Sequence, residues 1–165
     1  MGTVQDQMKE YRKQLQKGMI QKAYGEIMGF MNDLKGHLKK KYKEHQISSL
    51  YQGYMDMTYF SFTPKQLKER NLKIAVVYLH EENRFEVWLS GVNKSVAKEY
   101  MEKLKTLETP GYEMKESPEG VDFITTMLLT NEPDFEQKEK LRDEIELRCI
   151  SFGKEMTELT DQVSC

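Results

Sequence analysis

Cysteine and histidine are scarce in this chain, and their scarcity excludes several kinds of site. The two cysteines, Cys149 and Cys165, form no CxxC pair and have no histidine at ligand spacing. We therefore expect no disulfide, no zinc site and no other metal site. The three histidines, His37, His45 and His80, are too scattered for a metal cluster, and we interpret each as a solvated surface side chain.

Long apolar segments are also lacking. No hydrophobic run approaches the roughly eighteen residues of a transmembrane helix, and the polar N-terminus lacks the apolar segment of a signal peptide. Both observations predict a cytoplasmic location. The composition, 38% hydrophobic and 32% charged with four prolines, is typical of a globular chain. The length fits one domain, residues 1–165, in which residues 160–165 are a candidate disordered tail.

The familiar catalytic and nucleotide-binding motifs are missing as well. The sequence contains no P-loop, no GxGxxG, no GxSxG, no HExxH and no EF-hand loop. We therefore expect no cofactor, and we favour a protein that is not an enzyme.

Charge is distributed unevenly along the chain, although the net charge is only −2. Residues 1–50 carry a net +5, residues 51–106 carry +2 and residues 107–165 carry −9. This pattern predicts a basic N-terminal helical region packed beside an acidic C-terminal helix; a contact between subunits is the alternative. The lysine cluster at residues 39–43 could contact phosphates, but the acidic balance argues against a nucleic-acid partner.

Hydrophobic periodicity predicts an α+β fold with the element order ααβββαββα. Spacings of three and four predict helices over residues 4–17, about 20–43, 93–106 and from 134 onward. Strands are predicted at residues 51–62, 72–80, 85–90, 112–115 and 121–129, with a short helical turn after Pro64. Runs of strands indicate an antiparallel sheet of about five strands packed against long N-terminal and C-terminal helices.

The most distinct local pattern is a hairpin formed by residues 72–80 and 85–90. We pair it through Glu81 and Arg84, so that Tyr78 faces Val87. One side is then almost wholly apolar, and the other is apolar except for Glu86. Such a hairpin is expected to be covered on both sides, by helices alone or by helices and a second subunit, so self-association is one of two expectations.

Glu86 needs a partner, because an unpaired carboxylate between Val77 and Trp88 would be costly and would have a raised pKa. Asp56 has similarly apolar neighbours on the first predicted strand. If that strand lies beside the hairpin, one candidate binding site can form from Tyr54, Asp56, Arg84, Glu86, Trp88 and Lys94. Either a buried hydrogen-bonded pair or an aromatic-lined polar pocket would explain the pattern.

Two functions are compatible with this site. The first is a non-enzymatic ligand- or protein-binding domain whose aromatic and acidic pocket lies beside the sheet. The alternative is a hydrolase-like enzyme, metal-dependent or acid/base, that uses Asp56 and Glu86. A restriction-endonuclease-like metal site would require lysine two residues after the second acid, where this chain has Trp88, and this argues against a nuclease.

Three segments carry a resemblance to a known family: YQGYMDMTYFSF at residues 51–62, KIAVVYLH at 73–80 and FEVWLSG at 85–91. In these segments the chain resembles an uncharacterised family of small bacterial proteins, a domain of unknown function. The likeness runs from the second helix to residues 131–135. It implies a bacterial, cytosolic protein, and it brings no activity and no catalytic residue.

Overall fold

An antiparallel sheet organises the molecule, which the computed structural model describes over residues 2–107, 113–114 and 123–163. The strands are β1 (Gln46–Ile47), β2 (Met57–Thr63), β3 (Leu72–Leu79), β4 (Arg84–Gly91), β5 (Glu113–Met114) and β6 (Phe123–Asn131). They lie in the order β1-β2-β3-β4-β6-β5, and each neighbouring pair is antiparallel. The central hairpin β3–β4 therefore has a strand on either side.

The described part of the chain contains five helices, and local chemistry sets their ends. They are α1 (Val4–Lys17), α2 (Met19–Lys41), α3 (Lys65–Glu69), α4 (Lys94–Leu104) and α5 (Lys138–Val163). The hydroxyl of Thr3 caps α1, and Gly18, with a φ of 78°, ends it because glycine accepts the left-handed conformation without strain. The Asn93 side chain caps α4. No described helix has the length and apolar character needed to cross a membrane.

The predicted fold class is confirmed. All five predicted strands are present in the described residues, in the predicted order with the helices. The structure adds the two-residue β1 and resolves the short turn after Pro64 as α3. Of the predicted fourth and fifth strands, residues 112, 115 and 121–122 lie outside the described residues.

The predicted hairpin register is wrong by two residues. Tyr78 pairs with Phe85, and Val77 pairs with Glu86. The reason is the turn: residues 80–83 form a four-residue loop in which Asn83 has a φ of 50° and its amide donates to the His80 carbonyl at 3.3 Å. Because a shift of two residues preserves the alternation along a strand, the predicted assignment of side chains to the two faces still holds.

The strand predicted over residues 51–62 begins later, at Met57. Before it the chain makes a turn in which Gly53 and Met55 have φ values of 75° and 64°, outside the strand region. Tyr51 forms only an isolated bridge with Tyr59. Aromatic content alone does not reveal such a turn, because the same residue types serve both segments.

The last helix also differs from its prediction at both ends. It begins at Lys138 rather than at Asp134, whose carboxylate instead accepts a hydrogen bond from the amide of Glu136 at 3.0 Å. It continues through Val163, so residues 160–163 of the candidate tail are helical, and Thr160 is fully buried. Residues 164–165 lie outside the described residues.

The hydrophobic core lies on one face of the sheet, against α2, α4 and α5. Its buried side chains come from the strands, from these three helices and from Leu67 of α3; they include Phe30, Leu34, Phe60, Ile74, Val87, Leu89, Tyr100, Ile145 and Phe152. Cys149 packs among them as predicted, and burial raises the pKa of its thiol. By contrast, α1 contributes no buried residue.

Basic α2 packs beside acidic α5, as the charge distribution predicts. Glu146 of α5 is 6% exposed and pairs with His37 at 2.9 Å and with Lys41 at 3.0 Å. Burial acts to raise the pKa of this carboxyl group, but hydrogen bonds from Lys41 and His37 lower it below its usual value. A second ion pair, between Lys138 and Glu26 at 2.7 Å, links the same two helices.

The interpretation of the histidines as solvated side chains is wrong. His37 pairs with Glu146 between α2 and α5, and the ring of His45 stacks on Phe62 with 4.3 Å between centroids. His80 Nε2 lies 2.8 Å from the hydroxyl of Thr58, which itself donates to the Gln52 carbonyl. Burial lowers the pKa of His45 and of His80.

Candidate functional site

The sheet face opposite the core carries a row of small side chains. In the strand register Ser61 lies beside Ala75, and Ala75 lies beside Trp88. Ser48 extends this row toward the sheet edge, because its hydroxyl accepts a hydrogen bond from the Ser61 amide at 2.8 Å. We call this side of the sheet the open face. Small side chains leave a shallow space directly above the backbone at its centre.

Aromatic side chains border the small row. Tyr59 lies one row away, beside Val77, and its ring packs on Tyr51 with 4.8 Å between centroids. Trp88 closes the other side and packs against Phe123 at 5.3 Å. The rings and the small row together line part of an open cavity of about 840 Å³, which we call the groove. This volume is within the range of small-molecule sites.

The groove is built almost entirely from the sheet and its connections. Its described lining consists of Gln46, Ser48, Ser49, Tyr51, Met57, Tyr59, Ser61, Thr63, Lys68, Asn71, Leu72, Lys73, Ala75, Val77, Trp88, Ser90, Gly91 and Val92. None of these described residues belongs to α1, α2, α4 or α5. A ligand in the groove would therefore lie on the face that the core helices leave free.

Glu86 lies on the open face two residues before Trp88, is not among the described residues that line the groove, and is only 8% exposed. Its partners come from its own strand. Arg84 Nε donates to one carboxylate oxygen at 2.7 Å, and Trp88 Nε1 donates to the other at 2.8 Å. Residues two apart on a strand point to the same face, so the three side chains meet on the open face. The hydrogen bond to Glu86 fixes the indole of Trp88 in position.

The structure brings only half of the predicted site together. Arg84, Glu86 and Trp88 form one network, whereas the Tyr54 side chain is 90% exposed. Lys94 is exposed at the first residue of α4. Neither of these two residues is among the described residues that line the groove.

Asp56 also lies away from this network, in the exposed turn before β2. Its carboxylate accepts a hydrogen bond from the Tyr54 amide at 2.9 Å. Backbone hydrogen bonds, first from Tyr54 and then from Met57, hold the pKa of Asp56 below its usual value. Among the described residues no hydrogen bond or ion pair joins Asp56 to Glu86, so the two acids have separate partners.

The sequence analysis missed most of the groove. Tyr51, Tyr59, Ser61, Ala75 and Lys73 line it and were not predicted as site residues. The alternation of small and large residues along residues 57–63 and 73–77 was a usable signal. It needed the pairing of β2 with β3, which only the fold supplies, to align the small residues into one row.

A metal centre is not supported by the arrangement of potential ligands. Within the described ranges, no three His, Cys, Asp or Glu side chains are close enough together to hold an ion. The groove lining itself, as far as it is described, contains no residue of these four types. The side chains available to a ligand are hydroxyl, amide, ammonium and aromatic groups.

Comparisons with known proteins give a family but no activity. Neither the curated proteins nor the solved structures that were searched include a significant match. A family model matches residues 4–160, which is nearly the whole chain and extends beyond the predicted likeness at both ends. The chain therefore belongs to the family described as Domain of unknown function (DUF7000).

Proposed function

We propose that the protein is a non-enzymatic binding protein that holds a small, partly aromatic molecule in the groove of its open face. The observation that carries the proposal is the cavity of about 840 Å³ above the small row formed by Ser48, Ser61 and Ala75. A sheet position filled by a small side chain, next to a fixed indole, leaves room for a flat ligand.

The groove offers specific chemistry to such a ligand. Tyr51, Tyr59 and Trp88 present ring faces and edges, which favour contacts with other rings. The hydroxyls of Ser48 and Ser61 can donate or accept hydrogen bonds. The described lining combines these rings with hydroxyl, amide and ammonium groups, and such fixed polar groups orient a ligand in a small-molecule site.

The proposed binding can be measured directly, because Trp88 is the only tryptophan in the chain. Candidate metabolites are titrated while the Trp88 emission and the melting temperature are recorded. A ligand in the groove is expected to change the emission and to raise the melting temperature, since it binds the folded state alone.

A pair of matched substitutions locates the binding. Ser61→Leu fills the groove and is expected to abolish the response. Ser151→Leu places the same side chain on the exposed surface of α5 and is expected to leave it unchanged. An equal response from Ser61→Leu would place the ligand elsewhere and contradict the proposal.

The alternative function, an acid/base or metal-dependent enzyme using Asp56 and Glu86, has less support. The two carboxylates have separate hydrogen-bond partners, and a shared reacting site would require them to meet. A location in the bacterial cytoplasm and self-association stay predictions from the sequence. We include the cytoplasmic location in the proposal because the ligand would then be a cytosolic metabolite.

A further inference from the structure

We infer that the ligand of the groove is an amphipathic anion: a flat apolar ring system with an acidic group at one end. This inference rests on the proposed function and specifies its ligand. The acidic group would lie near Lys68 and Lys73, and the rings would lie over Ala75 between Trp88 and Tyr59.

The charge of the lining has one sign. Among the described residues that line the groove, the ionisable groups of fixed charge are two lysines, Lys68 and Lys73, and no acidic residue is present. The nearby acid Glu86 is already paired with Arg84. An anionic group would therefore meet attraction in the groove without a facing carboxylate to oppose it.

Both lysines lie at the same end of the groove. Lys73 is near the start of β3 and pairs with Ser90 near the end of β4, and Lys68 is in the last turn of α3, just before the turn that leads into β3. Tyr59 and Val77 occupy a row further along the sheet. Four residues of strand separate Lys73 from Val77, a distance of roughly 13 Å.

The lysines are available to a ligand. Neither Lys68 nor Lys73 forms an ion pair with another described residue, and both side chains belong to exposed residues. Two lysines of the helices, by contrast, are engaged: Lys41 pairs with Glu146 and Lys138 with Glu26. Arg70, which lies between α3 and β3, is also occupied, since it pairs with Asp161 at 2.9 Å.

The apolar end is defined by rings and small side chains. Ala75 leaves the space beside Trp88 open, and the ring of Trp88 is held in place by its bond to Glu86. A flat ring system can therefore stack there without first ordering the indole, which reduces the entropic cost of binding. The separation of this end from the lysines gives the ligand one orientation.

The test compares two fluorescent probes that share a ring system. Toluidinonaphthalene sulfonate carries one anionic group, and toluidinonaphthalene itself is neutral. We expect the sulfonate to bind about fivefold more tightly at low salt, because two exposed ion pairs each contribute modestly. The difference is expected to shrink as salt is added, since salt screens exposed charges.

Two double variants assign the difference to the lysines. Lys68→Gln with Lys73→Gln is expected to bring the sulfonate affinity down to that of the neutral probe. Lys40→Gln with Lys98→Gln removes two exposed lysines outside the groove and is expected to preserve the difference. Circular dichroism of each variant checks that the fold is retained.

The outcomes separate this inference from the proposed function. Suppose that both probes bind equally and quench Trp88, and that Ser61→Leu abolishes the binding of both. The groove then binds ligands, but the inference of an anion is overturned. If neither probe binds or quenches Trp88, the proposed function is overturned together with the inference. A sulfonate preference that survives the loss of Lys68 and Lys73 also overturns the inference.

Discussion

His45 and His80 are each partly enclosed by aromatic side chains, and this makes them sensitive to pH. The ring of His45 lies flat on Phe62, and that of His80 lies against Tyr24 and Tyr78. Burial lowers the pKa of both rings, although Asp56 partly offsets the effect at His80. Both rings therefore favour the neutral form in the folded protein more strongly than in the unfolded chain.

We predict that the protein loses stability on acidification. Because the folded pKa values are lowered, the unfolded chain binds more protons as the pH falls below about 6.5, and protonation then favours unfolding. The melting temperature is expected to fall by a few degrees between about pH 7.5 and pH 5.5. His45→Phe, which keeps the ring stack on Phe62, should make this dependence weaker. An unchanged slope in that variant would contradict the role of His45.

At the scale of elements, the contact between β4 and α4 depends on the lack of a side chain at Gly91. A Cβ atom there would lie 2.6 Å from the backbone nitrogen of Ala97 and 3.0 Å from the carbonyl oxygen of Asn93. Both neighbours are backbone atoms at the start of α4, so they cannot move aside without shifting the helix.

We predict opposite effects for two glycine-to-alanine substitutions. Gly91→Ala should lower the free energy of unfolding by about 2 kcal/mol or more, as overpacking of backbone does. Gly36→Ala in α2 meets nothing within 4 Å and should raise it by about 0.5–1 kcal/mol through helix propensity. Urea unfolding of both variants measures the difference. Equal changes in the free energy of unfolding would show that the close contact of Gly91 with the backbone of α4 does not exclude a side chain there.

Local patterns were sufficient to predict the elements but not the groove. The burial of Glu86 and the two faces of the hairpin follow from alternation along residues 72–90, which the sequence displays directly. The start of β2 depended on positive φ values at Gly53 and Met55, and the small row depended on pairing between β2 and β3. Both are set by contacts between distant segments, so a single sequence does not reveal them.

At the scale of the whole molecule, α1 is the helix that contributes no side chain to the hydrophobic core. It has no buried residue, and its apolar side chains Val4, Met8 and Tyr11 are 69%, 47% and 56% exposed. The single residue Gly18 connects it to α2. Most of the stabilising burial therefore belongs to residues after Gly18.

We predict that a chain lacking residues 2–17 still folds. Its melting temperature should stay within about 2 °C of the full chain, because little apolar area is lost and about 1 kcal/mol corresponds to roughly 2–4 °C at this size. As a comparison, Leu34→Ala removes a fully buried side chain of α2 and should lower the free energy of unfolding by about 2–5 kcal/mol. Loss of a cooperative thermal transition in the shortened chain would show that α1 contributes to the core.

The hydrogen bonding of Glu86 has one further consequence. Arg84 and Trp88 donate hydrogen bonds to this acid from within a single strand, so no residue of β2, β3 or α3 is needed to pair its charge. Substitutions among the groove residues other than Trp88 can therefore alter the shape of the cavity without leaving the Glu86 carboxylate unpaired.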